Sequence, residues 1–303
     1  MSSKAEDAAA GFRFGFVSII GKPNVGKSTL LNTIVGHKLA IVTSRPQTTR
    51  NRIMGVKNLE GGQIVFYDTP GIHDAKHKLG EFLVKTAVSS VKETELTYFV
   101  TNPVSADELD MSIIETLRQQ NKPAFLLINK TDTVSDKARL LQVIDAYQGL
   151  YDFNEIIPIS AKTGDGIDIL LEKTLSSLPE GPAGFSTDVL TDKFERFMAA
   201  EIIREKAMEL TYNELPHALA VEIITWKEKS NKLVSISANI YVEKDSQKGI
   251  IIGKRGALLK ETGIRARVEI EQLLGTKVYL ELFVKVRDKW RKDTNTLREL
   301  GYS

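Results

Sequence analysis

Gly21-Lys22-Pro23-Asn24-Val25-Gly26-Lys27-Ser28 follows a short apolar run, FGFVSII (14–20), and leads into a stretch with helical periodicity near 27–35. Gly-x-x-x-x-Gly-Lys-Ser between a strand and a helix is a phosphate cradle. Its glycines let backbone N–H groups curl around phosphate oxygens, and the positive end of the following helix points at them. Lys27 is suited to reach the β- and γ-phosphates of a nucleotide, and the Ser28 hydroxyl is a hard ligand for Mg²⁺. Thr29 continues the same turn, so 21–29 is expected to bind nucleotide.

Outward from this loop, four more apolar runs recur: QIVFYD (63–68), LTYFVTN (96–102), AFLLIN (124–129) and EIIPIS (155–160). They are short and nearly continuous, as strands buried on both faces are. Helix-like segments near 79–93, 107–121, 136–150 and 166–178 separate them. The alternation predicts an α/β domain over 14–180, with a mostly parallel sheet covered on both sides. Residues 1–13 read as a tail, and the Pro- and Gly-containing stretch 181–189 as a linker. The remainder, 190–303, changes texture. A long helix-like segment to about 213 carries Phe194, Phe197, Met198 and Ile202 on one face. Two alternating strands follow, the second at 233–242, then a Gly-bounded segment at 249–263, a helix to about 274 and a strand with Val278, Leu280, Leu282, Val284 and Val286 on one side. The order α-β-β-α-α-β predicts a separate α+β domain with three strands.

Three further motifs sit at strand ends of the first domain. Asp68-Thr69-Pro70-Gly71 offers a carboxylate for Mg²⁺ and a glycine N–H for the γ-phosphate. In Asn129-Lys130-Thr131-Asp132, the Asp132 carboxylate has only acceptors. It therefore pairs with the donors of guanine and repels adenine. Ser160-Ala161-Lys162 suits a loop whose backbone closes on the guanine oxygen. The four elements in this order resemble the translation-factor-related GTPases. That resemblance implies a switch threonine between the phosphate loop and Asp68, completing the Mg²⁺ shell when GTP is bound. Thr48 and Thr49 both qualify, and spacing does not choose between them.

One departure from the Ras pattern is informative. Where Ras-like enzymes carry a water-orienting Gln after DxxG, this chain has Ile72, which is grouped with Lys27, Thr48, Thr49 and Gly71 as the expected catalytic positions. Slow intrinsic hydrolysis is expected, accelerated by a partner or a second ion. Arg45, Arg50 and Arg52 are near enough to consider as charge donors, and His73 and His77 lie in the same segment. In related GTPases with the G-x-P-N-x-G-K-S loop, the residue matching Asn24 can ligate K⁺; Asn24 is as well explained as a turn former.

The second domain changes the charge picture. The chain has 41 basic and 39 acidic residues, a net of +2 that points to no partner. Residues 248–298, however, hold 13 Lys and Arg against 6 Asp and Glu. Within them lies Gly253-Lys254-Arg255-Gly256. With its α-β-β-α-α-β surroundings it resembles a type II KH domain, whose GXXG loop clamps the backbone of about four single-stranded nucleotides. Lys254, Arg255 and Lys260 add phosphate attraction, and Ile250, Ile252 and the next strand are expected to receive the bases. Lys289, Arg291 and Lys292 are suited to extend this RNA surface or to touch acidic lipid, and are equally well read as solvated charge.

A GTPase domain followed by a type II KH domain resembles the bacterial Era GTPases across nearly the whole chain, including FMAAEIIREK (197–206), GIIIGKRGALLK (249–260) and LRELGY (297–302). The resemblance implies GTP/GDP and Mg²⁺ as ligands, a role in 30S subunit assembly, binding near the 3′ end of 16S rRNA, and peripheral membrane association in some members. A monomer is expected. A guanine-nucleotide-regulated RNA chaperone without catalysis is the alternative reading. The chain has no cysteine, which excludes disulfides, thiolate metal sites and cysteine nucleophiles. MSSKAEDAAAG at the N-terminus has no apolar core and no apolar run approaches a membrane span, so a cytoplasmic location is expected.

Overall fold

The computed structural model describes residues 11–43, 45, 47–192, 195–212, 215–230 and 232–302. Most of the expected tail, and Phe194, lie outside them. The described chain divides into two compact units. The first holds residues up to Ala40, with Thr49–Asp74 and Leu83–Asp192. The second holds Ile41–Thr48, Ala75–Phe82 and the residues from 195 onward.

Up to Asp192 the elements are β1 (Arg13–Gly21), α1 (Lys27–Val35), β2 (Ile53–Leu59), β3 (Gly62–Asp68), α2 (Lys78–Lys92), whose first turn belongs to the second unit, β4 (Leu96–Thr101), α3 (Glu108–Gln120), β5 (Ala124–Ile128), α4 (Lys137–Gln148), β6 (Glu155–Pro158) and α5 (Ile167–Ser177). The sheet order is β2-β3-β1-β4-β5-β6. All neighbours run parallel except β2, which is antiparallel to β3. The five apolar runs are β1, β3, β4, β5 and β6. β4 and β5 are buried along their whole length, the mark of a sheet covered on both faces. The register sets Asp68 beside Ile19, so β3 ends next to the start of the phosphate loop.

β2 is an addition to the expected strands. Its sequence, IMGVKNL, breaks the apolar run with Gly55, Lys57 and Asn58. Gly55 is there for packing: a Cβ would lie 2.7 Å from Leu31 Cδ1 of α1. The stretch 181–189 is not a free linker either. The Gly184 and Phe185 N–H groups donate to Gln63 Oε1, at 3.1 and 2.9 Å, and Gln63 Nε2 donates back to the Phe185 carbonyl. Phe185 and Val189 also pack on Met54, Val56 and Val65. The segment is stitched to the sheet edge because Gln63, inside a strand, carries the donor and acceptor that its backbone needs. The first unit therefore runs to Asp192.

The second unit contains α6 (Glu195–Glu209), β7 (Ala220–Ser230), β8 (Leu233–Val242), α7 (Asp245–Ile252), α8 (Ala257–Leu274), β9 (Lys277–Val286) and α9 (Thr294–Glu299). Its sheet is ordered β7-β8-β9, with the first pair antiparallel and the second parallel. Ile202 and Ile203 of α6, Ile236, Ala238 and Ile240 of β8, and Ala266 and Ile270 of α8 form one core. The α-β-β-α-α-β order is the one the sequence predicts.

Candidate functional site: a nucleotide loop and a GXXG groove

The phosphate loop is held open by backbone geometry. Gly26 has φ +100° and a Cβ there would lie 2.3 Å from Asn129 Nδ2; Gly21 has φ +151° and a Cβ there would lie 2.3 Å from the Val100 carbonyl. Only glycine meets both demands. Gly26 gives α1 no side-chain cap, so the first-turn N–H groups of Lys27, Ser28 and Thr29 lack intrahelical partners and suit an anion. Asn24 takes φ +63° and is exposed. Val25 is buried, and its carbonyl accepts from Asn129 Nδ2 at 2.7 Å.

Lys27 is buried, and its ammonium donates to the carbonyls of Gly21 (3.1 Å) and Lys22 (2.8 Å). Burial lowers its pKa to about 8, against the attraction of Asp68. The Lys22 side chain turns away, with Nζ 2.7 Å from both Asp107 and the fully buried Asp110 at the start of α3. Pro23 packs on Gly71, where a Cβ would meet Pro23 N at 2.7 Å.

The expected Mg²⁺ ligands converge in part. Ser28 Oγ lies 2.6 Å from Asp68 Oδ2 and 2.8 Å from Thr49 Oγ1, and Thr49 Oγ1 donates to the same carboxylate oxygen at 3.3 Å. Asp68 is buried, which pushes its pKa up to about 6. Its Oδ1 is buried without a hydrogen-bond partner. Two hydroxyls and a carboxylate with an unmet oxygen are a hard donor set that fits Mg²⁺. Thr48 is not part of it. Its hydroxyl bonds Thr43 Oγ1 (2.8 Å) and the Arg45 carbonyl (2.7 Å), and its own carbonyl accepts from Arg204 of α6 at 2.5 Å. The division between the two units falls between Thr48 and Thr49. In the same segment, Val42 N–H donates to Glu205 (2.8 Å) and Arg45 to the Thr211 carbonyl (2.9 Å).

Thr69 uses its hydroxyl on the Ile19 carbonyl at 2.7 Å, pinning Pro70 and Gly71 beside β1. Ile72 is a correction. It is 5% exposed in a core cluster with Ile20, Ala87, Val91 and Phe99, so its apolar side chain lies in the core rather than at the phosphates. Of the arginines considered, Arg50 is buried, and Arg52 stacks 4.2 Å over Tyr67 and pairs with Glu93. His73 bonds the Gly71 carbonyl at 2.8 Å, and His77 Nε2 lies 3.4 Å from Arg291.

At the base end, Asn129 ties three loops together. Besides Val25, its Oδ1 accepts from the Ala161 N–H at 2.9 Å, while the Ala161 carbonyl accepts from Thr33 of α1. Lys130, at φ +64°, donates to the Asn24 carbonyl at 2.6 Å, and burial lowers its pKa. Ser160 Oγ donates to Asp132 Oδ1 at 2.8 Å, orienting the carboxylate that the sequence assigns to guanine. Lys162 is exposed. The part Asn129 plays in holding these loops together carries no local signal in the sequence.

In the second unit, Gly253 sits at φ +72°, ψ 175°, where a Cβ would meet Leu258 Cβ at 2.8 Å; Gly256 sits at φ +80° with open space around it. Lys254, Arg255 and Lys260 are exposed. Beside the loop a groove of about 480 Å³ runs between α8 and β9, lined by Leu259, Lys260, Gly263, Ile264 and Arg267 on one side and Tyr279, Leu280 and Leu282 on the other. Ile250 and Ile252 do not line it. Helical phase in α7 puts Ile251 in the core and leaves Ile250 54% exposed. The helical side of the groove is the stripe at 259, 260, 263, 264 and 267, of which only Lys260 is expected from the sequence. Arg291 is paired with Glu243 at 2.6 Å rather than free for RNA, and exposed Lys289 lies 3.7 Å from Asp288.

Loop, guanine-selecting carboxylate and GXXG groove together define a guanine-nucleotide-binding P-loop protein with an appended KH domain. Family models agree: residues 16–130 match "50S ribosome-binding GTPase" and 214–291 match "KH domain". The chain is 54% identical to GTPase Era of Geobacter metallireducens over 294 residues, covering 96% of this chain and 98% of that one. It is 51% identical to GTPase Era of Syntrophus aciditrophicus, covering 96% of each. Among solved structures, Era in complex with MgGDPNP and nucleotides 1506–1542 of 16S ribosomal RNA superposes with a TM-score of 0.94 at 41% identity, covering 96% of this chain and 99% of that one. A point variant of Aquifex aeolicus Era bound to GDP·AlF4⁻ superposes at 0.93 and 41%, covering 96% and 100%. The chain belongs to the Era GTPase family and is a GTPase.

Proposed function

We propose that this GTPase is an RNA-binding switch in 30S ribosomal subunit assembly, holding 16S rRNA near its 3′ end through the KH domain. The observation that carries the reading is the separation of Thr48 from Thr49. Thr49 reaches Ser28 and Asp68, where Mg²⁺–GTP would sit, while the Thr48 carbonyl is held by Arg204 of α6. Ser28, Thr49 and Asp68 would hold the ion, which would neutralise charge on the β- and γ-phosphates. Lys27 meets the same phosphates, Asp132 selects guanine, and Asn129 keeps the loops in register. Gain or loss of the γ-phosphate would move Thr49, and the neighbouring peptide would transmit that to α6.

With no side-chain carboxamide after Gly71, we expect slow intrinsic turnover, raised by RNA or by K⁺ near Asn24. Cytoplasmic location, peripheral attachment to the membrane and a monomeric state belong to the same proposal. Among the described residues no helix is long and apolar enough to cross a membrane. Crosslinking in cells followed by RNA sequencing tests the reading. Recovery of the 16S 3′ end, lost in Gly253→Asp/Gly256→Asp, is expected; diffuse recovery would overturn it.

A further inference from the structure

The groove is not the only place where the second unit offers aromatic surface. β9 is one of the two edge strands of its sheet. By strand alternation Val278, Leu280, Leu282 and Val284 face the helices, and Lys277, Tyr279, Glu281, Phe283 and Lys285 face outward. Tyr279 and Phe283 are 52% and 51% exposed on the same face of one strand, and an exposed apolar patch rimmed by polar residues marks an interaction site.

The ground around them is flat and polar. Tyr279 lies beside Ser235 and Phe283 beside Asn239, and Ser237 is bonded to Thr225 at 2.8 Å. Lys227 continues the Ser235–Tyr279 row, and the Lys229 ammonium stands 5.8 Å from the Tyr279 ring centre. The acidic groups on this face are already engaged: Glu281 accepts from the Tyr279 hydroxyl (3.2 Å) and Glu222 from Tyr241 (2.7 Å). Glu281 stands between the two rings, but each ring has a small polar neighbour on β8, and Lys227, Lys229, Lys277 and Lys285 surround the pair, a setting that suits bases and phosphates. Protein interfaces are depleted in lysine, which weighs against a protein partner here. The surface is also continuous with the groove, because Tyr279 lines both.

We propose that the outward face of β9 is a second RNA-contact surface, on which Tyr279 and Phe283 stack bases of the strand leaving the groove. The inference rests on the groove being the RNA site. The two rings are four residues apart, roughly 13 Å at strand rise, too far to sandwich one base, so each takes its own.

The test uses the full chain and fluorescent random-sequence RNA single strands of four, eight and twelve nucleotides. The groove clamps about four, so wild type should gain affinity with length. Phe283→Ala, which leaves the groove untouched, should weaken the twelve-nucleotide strand by about tenfold and the four-nucleotide strand by less than about twofold, with Phe283→Tyr restoring the gain. An unchanged length dependence in Phe283→Ala, or equal loss at both lengths, would overturn the proposal and leave this face to another partner. Failure of wild type to bind any length would instead overturn the groove reading.

Discussion

At Gly26 two demands coincide, a left-handed backbone and the Asn129 amide where a Cβ would stand. Gly26→Ala should therefore cut GDP affinity at least tenfold in a fluorescent-nucleotide titration and lower the melting temperature by several degrees. The two adjacent threonines should separate just as sharply. Thr49→Ala should lower the Mg²⁺ dependence of GTP binding at least tenfold, and Thr48→Ala, whose hydroxyl stays among Thr43 and Arg45, by less than about twofold. Protonation follows from burial. Asp68 must be a carboxylate to hold Mg²⁺, and its raised pKa of about 6 in the free chain means that below it a proton must be released on binding. Lys27 must be an ammonium, and its lowered pKa of about 8 means that above it a proton must be taken up. Mg²⁺–GTP affinity should thus peak between about pH 6 and 8, with calorimetry in buffers of different ionisation heat reading release on the acid side and uptake on the alkaline side.

At the scale of elements, the GXXG loop shows that its glycines are not equivalent. Gly253 is required twice, by its φ and by Leu258, whereas Gly256 is required by φ alone. A non-glycine residue in the left-handed region costs roughly 1–2 kcal/mol. Gly256→Ala should weaken RNA binding severalfold, and Gly253→Ala by more than tenfold, in the same titration. The elements also differ in how plainly they announce themselves. β1, β4 and β5 are read from continuous apolar runs because both faces are covered. β2 is not, because Gly55, required by the side chains of α1, and then Lys57 and Asn58 break its apolar run. The groove stripe of α8 was legible in principle but hidden, since a half-exposed helix face of mixed Leu, Lys, Gly, Ile and Arg has the same pattern whether it binds RNA or water.

At the scale of the molecule, α6 carries charges that its sequence position does not explain. Arg204 is fully buried, paired with Glu201 and bonded to the Thr48 carbonyl. Arg204→Ala would leave Glu201 without its partner and should destabilise the chain by about 3–5 kcal/mol in denaturant melts. Arg204→Lys keeps the charge but not the fork that serves Glu201 and Thr48 together. In that variant, RNA affinities measured with GTP analogue and with GDP should converge. Retention of the wild-type ratio would show that α6 does not relay the nucleotide state.

The P-loop, DTPG, NKTD and SAK motifs, the two-domain plan and the GXXG loop were all legible in the linear chain. Each is local: a glycine needs its φ, a carboxylate its acceptors and a strand its apolar run, whatever surrounds them. Tertiary structure decided which threonine meets Asp68, that Lys22 and Arg291 are spent on carboxylates and Ile72 on the core, that Gln63 binds the 181–189 stretch, and which face of α8 makes the groove. Those outcomes depend on partners tens to hundreds of residues away, and only packing selects among side chains that are locally equivalent.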